Sequence, residues 1–416
     1  MNLKRVVITG LGSLTPIGNN VSATWDSMLG GVSGASLITK FDPQHFRCKI
    51  ACELKGFDPL DFYDRKEANK LDLFAVYSMV AAQEAVIDAA LEDQRLDKGK
   101  IGVVWGSGIG GVKTFEDGVV DYTERGFVPR FNPYYIPKTI TNIVAGHIAI
   151  RYGFRGLNYS VTAACASSAA ALADAFNMIR LGKATAIVAG GAEAAIIPSG
   201  IGGFAAMHAL STRNDDPATA SRPFDRDRDG FVLGEGAACM VLEELEHAKS
   251  RGAKIYAELT GSGMTADAYH ITAPHPDGDG AVEAMRMAVE ESDMALTDVD
   301  HINTHGTSTP MGDSIEPKAI KRLFGDHAEC ISLNSTKSMT GHLMGAAGCL
   351  ESIATVLAIN NSVVPPTINH FNDDPLIEPL DFTFNVPTKR TVDFALNNAF
   401  GFGGHNVCLA FRKYNG

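Results

Sequence analysis

The chain has 416 residues, 45% of them hydrophobic, with 42 glycines and only 8% aromatics. That length exceeds one ordinary core and suits two fused halves of roughly 200 residues each. With 36 basic against 48 acidic residues, the net charge is −12. This acidic excess argues against nucleic acid or anionic membrane as the main partner, while a local basic patch could still meet an acidic protein.

The seven cysteines are scattered singly, without a C-x-x-C pair. This suits a reducing compartment and neither a disulfide framework nor a zinc ribbon. Val6-Val7-Ile8-Thr9 opens as a strand, broken by Gly10 and Gly12. No small-residue cleavage site follows, so no secretory leader is expected. No apolar run reaches spanning length, and a soluble, cytoplasmic protein is expected.

Further along, Lys70–Leu91 has the apolar period of a helix, and Ile101–Trp105 reads as a buried strand ending in a turn at Gly106. Ile187–Ala189 and Val407–Phe411 read as further strands, and Gly280–Glu291 as another helix. The alternation predicts α/β layers with parallel strands. No linker or low-complexity stretch divides the chain, so the halves should be tightly fused.

A faint repeat connects them. Strand Ile101–Trp105 and Gly106 are followed by Thr162-Ala163-Ala164-Cys165-Ala166-Ser167-Ser168 and an alanine-rich helix through Met178. His301-Ile302-Asn303-Thr304-His305 and Gly306 are followed by Thr340-Gly341-His342-Leu343-Met344-Gly345 and a second small-residue helix. The repeat sets Cys165 and His342 at two helix starts. Duplication and chance likeness between Gly/Ala-rich stretches both account for it.

Cys165 is the candidate nucleophile. At a helix N-terminus it meets unpaired N–H groups and the positive end of the macrodipole. Both favour thiolate and predict a pKa lowered into the range of about 3.5–7.5. Taken alone, a free cysteine is more often a small buried hydrophobe. His305 follows a strand in His305-Gly306-Thr307-Ser308-Thr309, and His342 lies in Lys337-Ser338-Met339-Thr340-Gly341-His342. A lone histidine is usually structural, but two in glycine-flanked turns at element ends sit where sites concentrate.

Two imidazole N–H donors would stabilise an enolate oxyanion, as loss of CO2 from a malonyl thioester requires, at roughly a few kcal/mol per donor. Lys337 would add positive potential around His342, or be a surface lysine. His301 and His305 have a metal-pair spacing but lie on a strand and turn without an intervening glutamate, which argues against zinc.

Gly106, Gly108 and Gly111 match G-x-G-x-x-G after a strand, and Gly261-Ser262-Gly263-Met264-Thr265-Ala266 matches G-x-G-x-x-A. A nicotinamide-dependent oxidoreductase is thus an alternative, with Asp121 and Glu124 near the spacing of a ribose-binding acid. The depth of the first match in the chain and the poor apolar period of Val112–Tyr122 weigh against it.

Seven segments together resemble the β-ketoacyl-acyl carrier protein synthases, the thiolase-fold condensing enzymes: Val6–Gly18, Val161–Ser168, Arg222–Gly236, Asp267–Pro274, His305–Asp313, Asn334–Gly348 and Asn398–Asn406. The resemblance implies a layered α/β/α/β/α fold of two similar halves, 1–253 with the cysteine and 254–416 with the two histidines. It implies acyl transfer to Cys165, then decarboxylative condensation with a malonyl group, His305 and His342 completing the triad. Lys337 would be the active-site lysine, with Glu351, Asp313 and Glu316 in support.

Thr307 and Thr309 would bind the pantetheine arm, and Phe400, Phe402 and Tyr135 the substrate. The N–H groups of Cys165 and Phe402 would form the oxyanion hole, the Phe402 ring gating the acyl pocket between flexible glycines. Ile109 resembles the pocket isoleucine of the type II synthases and implies medium-to-long saturated chains, each buried CH2 contributing about 0.8 kcal/mol. Tyr134 and Tyr135 fall where the family has aromatics near pocket and dimer contact. His405 departs from the threonine of many members.

The partner implied is an acidic acyl carrier protein, with Arg65, Lys66 and Lys70 as the basic patch or merely a solvated helix face. A homodimer and no organic cofactor are also implied. Asn303, Glu351, Asn397 and Asn398 resemble a monovalent-cation site, or are structural polars. Two rivals share the fold: a degradative thiolase, which needs a second cysteine absent from Gly401–Gly404, and a non-catalytic subunit that measures chain length, against which Cys165 speaks.

Overall fold

The computed structural model describes residues 3–416. Its centre is a ten-stranded sheet. In chain order the strands are β1 (Val6–Leu14), β2 (Ile101–Gly106), β3 (Asn158–Val161), β4 (Ala186–Glu193), β5 (Gly236–Glu244), β6 (Ala257–Ala266), β7 (His301–Asn303), β8 (Ser332–Asn334), β9 (Phe394–Gly401) and β10 (His405–Arg412). They lie in the order β8-β7-β9-β10-β6-β1-β5-β4-β2-β3.

The faint repeat now has a structural basis. Within each half the strands stand in the order third, second, fourth, fifth, first, and the two first strands, β1 and β6, pair at the centre. The strand directions repeat as well: third, second and fourth are parallel, while fifth pairs antiparallel with fourth and first. Chance likeness of small-residue stretches does not generate one topology twice. The same pairings correct the expectation of a parallel sheet, because five of nine junctions are antiparallel. The tight turn at Gly401–Gly404, for example, folds β10 straight back on β9, where a parallel neighbour would need a crossover.

Alternation along the strands produces five layers. Val104, Ile187, Ala189, Met240 and Leu242 point to a central core, whereas Val103, Trp105, Val188 and Val241 point to an outer one. In the other half Ala395, Val407 and Leu409 join the same central core, and Leu396, Cys408 and Ala410 face a second outer one. Strands buried on both faces read as unbroken apolar runs, which is why they were legible.

The outer layers are covered by α1 (Leu73–Asp88) and by α4 (Asp279–Glu291) with α5 (Gly312–Phe324). The central layer holds α3 (Ser167–Arg180) and α6 (Ala347–Asn361), packed on each other. Alanine and glycine on their facing sides allow this: a Cβ on Gly348 would fall 2.7 Å from that of Ala169. Helix α2 (Val112–Glu124) buries no residue, so its weak apolar period is that of a helix lying on the surface. No helix among the described residues is long and apolar enough to cross a membrane.

Candidate active site

Both central helices begin from the same strained elbow. Ala164 has φ +48° and Met344 φ +49°, left-handed values that a residue with a Cβ adopts at a cost of about 1–3 kcal/mol and keeps only where its surroundings enforce it. Here Ser167 does so: its Oγ accepts from the Ala163 N–H at 2.9 Å and donates to the Ala164 carbonyl at 2.7 Å. Each elbow is one 3-10 turn, Ala164–Ala166 or Met344–Ala346, running into α3 or α6. Cys165 is therefore the counterpart of Gly345, and the sequence alignment of Cys165 with His342 was three residues out.

Cys165 is 5% exposed, and this overturns the expected thiolate. Burial pushes its thiol up to about 12, Glu193 adds to the rise, and the Lys337 charge and the Phe402 N–H only partly oppose it. A sulfur removed from water loses more by ionising than a few N–H groups restore. Gly401 brings β9 this close: a Cβ there would lie 2.5 Å from the Ala163 carbonyl oxygen. Gly403 then turns the chain at φ +90°, leaving the Phe402 N–H aimed at the sulfur.

His305 and His342 come from the other half and meet edge to face, ring centroids 5.4 Å apart. Phe231 packs edge-on to His342 at 5.3 Å and Phe400 tilts against His305 at 5.5 Å. Both imidazoles are held well below their usual pKa, first by burial and next by the Lys337 charge. They are neutral. Each Nδ1 is buried without a hydrogen-bond partner among the described residues. Lys337, 1% exposed, is no surface lysine, since it forms a buried ion pair with Glu351. Burial pushes the Glu351 carboxyl up to about 7, with Lys337 opposing.

The His305 loop is held by two carboxylates from α5. Glu316 accepts from the His305 N–H at 2.8 Å, the Gly306 N–H at 3.0 Å and Asn398 Nδ2 at 3.0 Å. Asp313 accepts from the Ser308 N–H at 3.1 Å and the Phe224 N–H at 2.9 Å. The hydroxyls of Thr307 and Thr309 face each other at 2.9 Å.

Cys165, His305, His342, Thr307, Thr309, Asp313, Glu316, Phe400 and Phe402 all line one cavity of about 380 Å³. Residues from two halves of the chain thus converge on a single thiol. Two family models match this chain: the beta-ketoacyl synthase N-terminal domain over residues 3–248 and its C-terminal domain over residues 256–371. The chain belongs to the beta-ketoacyl synthase family.

Similar proteins include the 3-oxoacyl-[acyl-carrier-protein] synthase 2 of Synechocystis sp., 49% identical over 99% of this chain and 98% of that one. The protein of the same name from Coxiella burnetii is 47% identical over 99% of each chain. Among solved structures, a beta-ketoacyl synthase from Burkholderia phymatum superposes with TM-score 0.91 at 33% identity, covering 99% of this chain and 100% of that one. A type II PKS ketosynthase bound to a hexaketide and in complex with its acyl-carrier protein does so with TM-score 0.91 at 32% identity and the same coverage.

Some residues expected at the site lie elsewhere in this synthase. Ile109 is 40% exposed and Tyr135 tilts against Phe131 with ring centroids 4.9 Å apart; neither lines the cavity. Both belong to residues 109–140, a stretch whose apolar side chains stand uncovered, Phe115 at 56%, Phe127 at 65% and Ile136 at 63% among them. Tyr134, 44% exposed, lies there too. Of the basic patch, Arg65 and Lys66 are exposed on the short helix Arg65–Ala68, while Lys70 pairs with Glu67 at 2.5 Å.

The side-chain Oδ1 atoms of Asn303, Asn397 and Asn398 and Glu351 Oε2 are buried without partners among the described residues, a hard-oxygen donor set of the kind hard cations take. Alternation splits it, however. Asn397 faces α6, donating to the Gly348 carbonyl at 2.8 Å, and its neighbour Asn398 faces α5 across the sheet.

Sequence reasoning missed Phe231, Met344 and a brace beneath the glycine turn. There Asp267 accepts from Asn406 Nδ2 at 2.7 Å, and its N–H donates to the Gly404 carbonyl at 2.8 Å. The dinucleotide alternative also fails on geometry. Gly261-Ser262-Gly263 lies inside strand β6, where no loop can cradle a phosphate. The Gly106–Gly111 turn does join strand β2 to helix α2, but the Gly108 and Ile109 N–H groups already donate to the Glu193 carboxylate.

Proposed function

We propose that this synthase elongates a medium-to-long acyl chain by two carbons, taking both acyl and malonyl groups from acyl carrier protein. The cavity shared by Cys165, His305 and His342 carries this reading. The acyl thioester of the carrier enters past Thr307 and Thr309. Cys165 attacks it, and because the thiol is held neutral, its proton passes to a neutral imidazole as the C–S bond forms. The Cys165 and Phe402 N–H groups hold the oxyanion. Collapse breaks the carrier's C–S bond, and the proton ends on the departing pantetheine thiol.

A malonyl group on a second carrier then takes the same path. Loss of CO2 leaves an enolate whose oxygen accepts from the imidazoles of His305 and His342, with the buried Lys337 charge adding positive potential. Its carbon attacks the acyl-cysteine carbonyl. The Cys165 sulfur leaves as thiolate and regains a proton from solvent, and a β-ketoacyl carrier departs. Mass spectrometry checks this: Cys165 should gain the acyl mass from acyl-carrier and lose it when malonyl-carrier is added. An enzyme that condenses without that adduct would end the mechanism.

The uncovered apolar residues of 109–140 and the free edge of β3 favour a second copy of this chain as their cover. That interface would close the acyl pocket around Ile109 and Tyr135. An alkali cation held by Asn303, Asn397 and Glu351 belongs to the same reading; it would neutralise buried oxygens and take no part in a bond-making step. Light scattering in potassium and in tetramethylammonium salts checks both. A monomer at micromolar concentration would remove the first, and a melting point indifferent to the cation the second.

The carrier should dock through Arg65 and Lys66, which have no carboxylate partner among the described residues, whereas Glu67 neutralises Lys70. Rim charges steer encounter more than they hold the complex. Arg65→Glu with Lys66→Glu is expected to raise the apparent KM for carrier about tenfold at low salt, with kcat kept and the effect shrinking as salt is added. An unchanged KM would discard the patch.

A further inference from the structure

Glu193 ends β4 in the first half, where Gly401 ends β9 in the second. At Gly401 the chain turns so that the Phe402 N–H meets Cys165. At the matching place in the first half a carboxylate is fully buried instead, 0% exposed. Four donors converge on it. Oε1 accepts from Ser107 Oγ and the Ile109 N–H, both at 3.2 Å, and Oε2 from the Gly108 N–H at 2.8 Å and the Gly345 N–H at 3.1 Å.

The Gly345 N–H is the topological counterpart of the Cys165 N–H. The second elbow therefore has an amide cradle of its own, and Glu193 fills it with its carboxyl, which burial pushes up to about 7 while the four donors oppose the rise. There is no slack. A Cβ on Gly345 would fall 2.7 Å from Glu193 Oε2, and one on Gly108 2.8 Å from it and 3.6 Å from the Ala164 carbonyl oxygen. One side chain from the first half thus ties the turn bearing Ile109 to the elbow bearing Met344.

We propose that Glu193 is the positioning residue that sets which acyl chains Cys165 accepts, by fixing the Ile109 turn against the Met344 elbow. This rests on the reading of Ile109 as a wall of the acyl pocket. Two oxygens, each accepting twice, match a carboxylate's lone pairs. Glutamine keeps one such oxygen but turns an NH2 on two of the donors, and aspartate keeps the carboxyl while being too short to span the Ile109 turn and the second elbow.

The test is the rate at which Cys165 gains mass from acyl-carriers of graded length, beside the release of CO2 from malonyl-carrier without primer. Glu193→Gln should lower kcat/KM for long acyl chains about tenfold relative to short ones, as leaving buried donors unsatisfied implies. CO2 release should stay at the parent rate, and Glu193→Asp should fall between. Equal loss at every length together with loss of CO2 release, or an unaltered length profile, would overturn the proposal. Ser107→Ala removes a single donor and serves if Glu193→Gln does not fold; it should shift the profile the same way by less, and no shift overturns the proposal. Ile109→Phe separates the two ideas: an unaltered profile there refutes the pocket wall, whereas an altered one beside an unaltered Glu193→Gln profile refutes only the role of Glu193.

Discussion

Cys165→Ala is expected to abolish acyl transfer and condensation, with a loss on the order of 10⁴-fold or more, as removal of a covalent nucleophile does elsewhere. The protein should fold unchanged, because alanine fills the place of a small buried side chain beside Ala163 and Ala166. The parent's pH profile is informative too. The thiol's pKa is raised to about 12, so thiolate accumulates only in strong alkali. The imidazoles are held well below 6.5, so they lose their free lone pair only in acid. Neither group titrates at neutrality, so alkylation of Cys165 by iodoacetamide should stay slow and flat there. Alkylation rising with a midpoint near pH 7 would mean a resting thiolate and overturn the proton relay, whereas a limb in acyl transfer alone would report Glu351, whose carboxyl is pushed up to about 7. A Cys165→Ala enzyme that still condensed would overturn the whole mechanism.

Replacing either cavity histidine should separate the two half-reactions. His305→Ala or His342→Ala is expected to slow CO2 release from malonyl-carrier by about 10²–10³-fold, the usual effect of losing one oxyanion donor. Acylation of Cys165 should suffer less, since the remaining imidazole can take the proton. Asparagine restores an N–H donor without a basic nitrogen, so His342→Asn should recover part of the CO2 release but not the relay. Release of CO2 at the parent rate from both alanine variants would show that neither ring meets the enolate. The two effects should not add, because each donor works on the same oxygen.

Much of this was legible along the chain. Runs such as Ile101–Trp105 and Val407–Phe411 were readable because strands buried on both faces carry no polar alternation. The cysteine segment and the two histidine turns stood out because small residues and glycines surround a reactive side chain. The Glu193 cradle was not legible: its acceptor and donors lie 84 to 152 positions apart, beyond any local pattern. The apolar surface of 109–140 escaped notice for the opposite reason, being apolar without being buried.

The amino-acid sequence by itself carried the alternation of buried strands and helices, and it singled out one thiol and two imidazoles as the candidates for the chemistry. These depend on local periodicity and on residue type. Only the tertiary structure decided the protonation states and the partnerships. Desolvation depends on how deeply neighbouring layers bury a group, and it outweighs the helix end that favours a Cys165 thiolate. Likewise, the Gly345 amide that Glu193 reaches follows from the packing of one half on the other, and the carboxylate that Lys337 meets from the packing of its own turn on α6, which no stretch of chain encodes alone.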